Sequence, residues 1–186
     1  MPRVKARLLA IVAVFTGLSI ALRVAKNLFT QIQFVNIPLA FAMLGGLVAG
    51  SRAGFTIGLL AFLLSDLVLA PGPWTPTNSL LAGVIGYLWG FANRLDLDKS
   101  IVFVLAFLST FAYDIVSSVV FYLVLGMPPL QALELGLLGL FLPVGGGYML
   151  GVGPVTEIST ALLTSSVYWG LKRRGVLTWV GSPGHS

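Results

Sequence analysis

Residues 101–125 read IVFVLAFLSTFAYDIVSSVVFYLVL, 25 positions carrying a single charge, Asp114. An apolar run of roughly 18 or more residues with so little charge has the length of a bilayer crossing and exceeds most buried core helices. Five further apolar runs accompany it, at 8–22, 37–50, 53–69, 79–91 and 155–171. Several are shorter than the ~20 residues of a perpendicular span, so they extend into flanking polar residues or sit thin within a bundle. The expectation is an all-α membrane protein: a bundle of about six transmembrane helices forming one domain over residues 1–175, with a short polar tail at 176–186.

Composition agrees with this reading. The chain is 57% hydrophobic and 9% charged, with a mean hydropathy of +0.97, whereas soluble domains are about a quarter charged. The net charge of +5 is not gathered into a patch with interleaved aromatics, so nucleic acid is not an expected partner. The chain has no Cys, and its one His is His185. Disulfides, thiolate nucleophiles and thiolate metal sites are therefore excluded. No Gly-x4-Gly-Lys-Ser/Thr loop, His-Glu-x2-His pattern or Gly-x-Ser-x-Gly elbow occurs, so ATP hydrolysis by that loop and the common hydrolase chemistries have no residues to perform them. An enzyme is not expected, and neither is a cofactor or a metal. Arg3, Lys5 and Arg7 ahead of the run at 8–22 resemble the start of a signal peptide, but cleavage would leave no soluble domain to export, and the run reads as the first span.

The runs are separated by turn-forming chemistry: Asn36 and Pro38, Ser51 and Arg52, Pro71-Gly-Pro-Trp-Thr-Pro76, and residues 93–100. Between the fifth and sixth runs, residues 126–154 hold Pro128, Pro129, Pro143 and a run of Gly at 145–147. The apolar segment 130–142 inside that stretch is short for a span and reads as interfacial or re-entrant. With the N-terminus inside, nine of the eleven basic residues fall in inner segments, leaving only Arg23 and Lys26 outside. That bias predicts cytoplasmic N- and C-termini in a multi-pass protein of the cell membrane.

Ionisable groups within spans are costly and are functional candidates by default. They are Arg23, Asp66, Asp114 and Glu157. Arg23, Asp66 and Glu157 all fall in the outward half, where a nutrient from outside would be captured. Each also has a plainer reading. Arg23 suits snorkelling to the outer headgroups, Glu157 after Pro154 suits the positive end of its own helix, and Asp114, near mid-membrane, suits a hydrogen bond to a Ser or Thr inside the bundle. Residues 70–78 read as a loop in which Trp74, stiffened by prolines, stands beside Thr75, Thr77 and Asn78. This is either an interfacial aromatic anchor or, with Asp66 adjacent, a wall of a binding site. Three series of small residues at fourfold spacing, Ala13-Gly17-Ala21-Ala25, Gly46-Gly50-Gly54-Gly58 and Ala82-Gly86-Gly90, form smooth helical ridges that permit close helix approach.

Several of these elements together carry a resemblance. They are the small-residue ridge, Arg23, Val35-Asn36-Ile37-Pro38, Gly45-Gly-Leu-Val-Ala-Gly-Ser-Arg-Ala-Gly-Phe55, Ser65-Asp66-Leu67, Gly72-Pro73-Trp74-Thr75-Pro76, and residues 83–90. The pattern resembles the S components of energy-coupling factor (ECF) vitamin importers, over the first half of the chain in motif and over the second in hydropathy and length. The Gly-Pro-Trp-Thr-Pro element is similar to the cobalamin-type branch, with Asp66 and Thr77-Asn78 standing where that branch commonly has Asn and Gln. The resemblance implies capture of a vitamin or cofactor precursor from outside. Cobalamin is the first expectation, with riboflavin, thiamine and biotin open. It also implies delivery through an ECF transmembrane coupling protein and two ATPase subunits. The expected substrate-binding residues are Arg23, Asn36, Asp66, Trp74, Thr75, Asn78 and Glu157, and the expected docking face is Ala13, Gly17 and Ala21. Two other classes stay open: a small ion-coupled secondary carrier and a non-transporting membrane scaffold.

Overall fold

The structure, a computed structural model, describes residues 2–141, 144–146, 149–151 and 153–175. The expected tail at 176–186 lies outside the described residues. Seven α-helices occur among those described: α1 (Pro2–Phe29), α2 (Ile37–Ala49), α3 (Ser51–Leu69), α4 (Trp74–Trp89), α5 (Lys99–Val124), α6 (Pro129–Leu138) and α7 (Pro154–Arg173). Three of them, α1, α3 and α5, are long and apolar enough to cross a membrane.

The centre of the bundle is α2. Twelve of its 13 residues are buried, the pattern of a helix enclosed on every side. It starts where Asn36 caps it, the Asn36 side chain accepting from the Leu39 N–H at 3.2 Å, with Pro38 in the first turn. It ends at Gly50, whose φ of 88° lets the chain reverse directly into α3. A residue with a Cβ is strained at that angle.

Two of the three small-residue ridges are packing surfaces. A Cβ on Gly54 would overlap the carbonyl of Gly86, one on Gly46 would overlap Gly86 and Gly90, and one on Gly58 would overlap Ala82. These contacts bring α3 and α4 to backbone touching distance and press α2 against both. The first ridge differs: Ala13, Gly17, Ala21 and Ala25 are exposed, and nothing lies within 4 Å of a Cβ built on Gly17. It faces away from the bundle.

Residues 70–78 are not the loop expected from their prolines. The helix α4 begins at Trp74, and only 70–73 separate it from α3. Pro76 falls in the first turn, where its missing N–H has no intrahelical partner to lose, so proline here starts a helix. The stretch after α5 forms the ten-residue α6, about 15 Å long and too short to span. Two short strands follow, β2 (Val144–Gly146) and β3 (Met149–Gly151). They pair antiparallel, and β3 also pairs in parallel with β1 (Ile32–Gln33), between α1 and α2, with Ile32 opposite Leu150. This small sheet ties two distant connections together at the end of the bundle where α1 ends and α2 and α7 begin.

At the opposite end, the Lys172 ammonium reaches the Asp96 carboxylate at 2.7 Å and the Leu97 carbonyl at 2.8 Å. This fastens the end of α7 to the α4–α5 connection.

Candidate functional site

Arg23 lies six residues before the end of α1, Asp66 in the last turn of α3 and Thr75 in the first turn of α4. The antiparallel run of these helices brings all three to the sheet-covered end. Arg23 does not snorkel. It is buried, with 6% of its surface exposed, and its Nη1 lies 2.7 Å from Asp66 Oδ1 while also donating to the Ser65 hydroxyl. The other Asp66 oxygen accepts from Thr75 Oγ1 at 2.8 Å. The guanidinium stands over the Phe62 ring, 4.9 Å from its centroid, and Phe62 in turn stacks on Tyr113 at 5.7 Å. A buried ion pair needs such further hydrogen bonds to offset desolvation, and this one has them on both partners. Arg23, Asp66 and Thr75 therefore join α1, α3 and α4.

The adjoining groups are less complete. The Asn36 N–H donates to Thr160 Oγ1 at 2.9 Å, which docks the start of α2 on α7. One turn earlier on α7 lies Glu157, 1% exposed, with neither carboxyl oxygen hydrogen-bonded among the described residues. Its neighbour across the helix interface is Asp114 of α5, whose carboxyl faces it. Among the described residues Asp114 makes no bond to a Ser or Thr side chain, contrary to what its mid-span position suggests. Ser117 donates to its backbone carbonyl instead, at 3.2 Å. The Tyr113 hydroxyl, also buried and unpartnered, stands near Asn36, Arg23 and Asp66.

The first helix supplies a feature that sequence reading missed. Thr16, Ser19 and Arg23 are buried, and Asn27 is half-buried. Their spacing of three, four and four places them on one helical face, distinct from the Ala13-Gly17-Ala21 ridge. Thr16 Oγ1, Ser19 Oγ, Arg23 Nε and Asn27 Oδ1 are buried without a partner among the described residues. The signal was present as the period of the polar residues, but Ser and Thr are unremarkable in apolar spans and only Arg23 stood out. On the rim, Lys26 donates to the Ile32 carbonyl at 3.1 Å and to Gln33 Oε1 at 3.2 Å, while Thr156 donates to the Gln33 carbonyl. Both hold β1 in place.

Two expected site residues stand apart. Trp74 is 36% exposed and meets Phe121 edge-on at 6.3 Å. Asn78, one turn into α4 and half-buried, has no hydrogen bond to the cluster among the described residues. Trp74, Thr75 and Asn78 share a helix start rather than a loop, and only Thr75 points into the polar centre. No group of three or more acidic, His or Cys side chains able to hold a metal occurs among the described residues.

Among known families, the profile of the one described as ECF-type riboflavin transporter, S component, aligns with residues 5–145. No curated protein and no solved structure matches. The match runs beyond the first half that carries the motif resemblance and takes in α5 and α6. It names riboflavin, so the cobalamin-type expectation gains no support from it. With a membrane-type helical bundle and well over half its length aligned, the chain belongs to the family of ECF-type riboflavin transporter S components.

Proposed function

We propose that this chain captures riboflavin, or a closely related flavin precursor, from outside the cell and delivers it through a separate ATP-driven coupling module. The family description supports the vitamin. The observation that carries a binding site is the set of unpartnered buried polar atoms, on Thr16, Ser19, Asn27, Tyr113 and Glu157, in the half of the bundle nearer the small sheet. A buried polar atom without a partner costs about 1–3 kcal/mol, and several together are sustained where a ligand supplies the missing partners. Of the expected residues, Glu157 belongs to this ligand-facing set, Arg23, Asn36, Asp66 and Thr75 frame it, and Trp74 and Asn78 form its rim.

Six crossings with both termini cytoplasmic place this end outward, since nine of eleven basic residues then lie inside. The outward-facing ridge Ala13, Gly17 and Ala21 suits docking of the coupling protein, because a flat small-residue face permits close helix contact. The two ATPase subunits would act through that protein.

The test is purification in mild detergent, followed by mass spectrometry of the retained small molecule and titration with riboflavin, read by quenching of flavin fluorescence. Retained flavin and saturable quenching at one equivalent are expected. Absence of both overturns the vitamin assignment. Uptake by this chain alone in vesicles, driven by an ion gradient without a coupling module, would favour the secondary carrier instead.

A further inference from the structure

The interior of the ligand end has an unbalanced charge. Its two cations are Arg23 and Lys26, and its three carboxyls are Asp66, Asp114 and Glu157. Arg23 is committed to Asp66 at 2.7 Å, and Lys26 is turned to the rim, where it holds the Ile32 carbonyl and Gln33. Among the described residues no cation remains for the facing pair Asp114 and Glu157. Glu157 is enclosed, with 1% of its surface exposed and both oxygens unpartnered, and beside Asp114 the buried Tyr113 hydroxyl is unpartnered too. Glu157, an acceptor-rich carboxyl without a donor among the described residues and facing a second carboxyl inside an apolar bundle, calls for a ligand that brings hydroxyl or N–H donors and no negative charge.

We propose that the Asp114–Glu157 pair is a specificity filter: it accepts hydrogen bonds from a neutral, donor-rich part of the ligand and rejects the same ligand bearing a phosphate or carboxylate there. This rests on the binding role proposed above and adds the chemical class the site admits. A filter of this kind works by repulsion as well as attraction. The anionic competitor sets acceptors against acceptors in a weakly screening interior, and it also leaves the carboxyl oxygens unpaired.

The experiment compares riboflavin, whose side chain ends in free hydroxyls, with riboflavin 5′-phosphate, by fluorescence titration on the detergent-purified chain. The wild-type chain is expected to prefer riboflavin by about a hundredfold or more. Glu157→Gln and Asp114→Asn keep shape and remove charge. Each is expected to weaken riboflavin binding about tenfold or more, the size of one lost charge-assisted hydrogen bond, and to shrink the preference by at least tenfold. Gel filtration and unligated thermal stability show whether each variant is folded, and the two variants act as controls for each other.

Equal wild-type affinity for both flavins overturns the filter while leaving riboflavin capture standing, as does an unchanged preference in both folded variants. If neither flavin binds the wild-type chain, the proposed function and the filter fail together. Riboflavin binding that appears only with added sodium or calcium, and that vanishes in Glu157→Gln, would put a cation between the carboxyls and overturn it as well.

Discussion

Removing the charge of Asp66 separates its structural role from a ligand-binding one. Asp66→Asn keeps the side-chain shape and an acceptor for Thr75, but leaves the Arg23 guanidinium without a counter-charge at a site where the two side chains are 7% and 2% exposed. Breaking a buried pair by removing one partner costs about 3–5 kcal/mol, because the remaining charge stays desolvated. For a chain of this size each kcal/mol corresponds to about 2–4 °C in Tm, so a fall of roughly 6–20 °C is expected. The lower end is favoured because polar groups separated inside a micelle still find partners. Arg23→Met with Asp66→Leu removes both charges and fills similar volume, and such replacements of buried pairs are often neutral. The double variant should therefore recover most of the loss. The assay is thermal unfolding of ligand-free, detergent-purified protein followed by circular dichroism. If Asp66→Asn melts within about 1 °C of wild type, or the double variant is no better than the single, the pair does not hold α1 to α3. Asp66 would then act chiefly on ligand.

The glycine ridges should respond in opposite ways to added methyl groups. Gly54→Ala or Gly86→Ala should cost about 1–3 kcal/mol of stability, because the new Cβ meets backbone that has no room to yield, whereas Gly17→Ala should stay within about 0.5 kcal/mol. Gly17→Trp should abolish ATP-dependent uptake by the reconstituted transporter while leaving riboflavin affinity near wild type, and a parallel loss of affinity would put the ridge inside the bundle. Single cysteines at Gly72 and Asp96, in a chain without Cys, should label from outside at Gly72 only, and labelling from outside at Asp96 would overturn the orientation. Trp74→Ala should weaken flavin binding by about thirtyfold if the indole walls the site, at about 2 kcal/mol for a buried aromatic anchor, and a wild-type titration would leave Trp74 as an interfacial anchor.

Helix positions were legible because apolar runs and their breakers are local signals. Each of the six runs lies within or close to one helix, with α2 matching 37–50 almost residue for residue. The error at 70–78 has a physical cause: Pro and Gly mark turns, but Pro is equally at home in the first turn of a helix, and only tertiary packing decides between the two. Arg23, Asn36, Asp66 and Glu157 could be singled out because charge and caps are conspicuous in an apolar chain. Their partners could not. Whether Asp66 serves Arg23 or a ligand depends on the crossing of α1 and α3, and no residue spacing records that crossing. The same holds for the three similar ridges, of which two pack inside and one faces out. Their sequences look alike, and only the identity of the opposing helix separates them.

The short central helix explains why the polar groups gather at this end. With 13 residues, α2 is about 20 Å long, roughly 10 Å less than a bilayer core. Its far end cannot slide to share the deficit. Gly46 lies against Gly86 and Gly90, Gly90 lies against Ser51, and the chain turns back at Gly50. On the proposed six-crossing topology the shortfall therefore falls at the Asn36 end, where non-helical backbone has to be accommodated close to the membrane. Such backbone is tolerated when protein groups satisfy it, and here β1 pairs with β3, Lys26 and Thr156 bond the carbonyls of Ile32 and Gln33, and Thr160 receives the Asn36 N–H. Lengthening α2 by one turn at its start would remove the need for that arrangement. It would also displace Asn36, which caps α2 and meets Thr160 of α7, so the truncated central helix and the proposed ligand end are one structural feature.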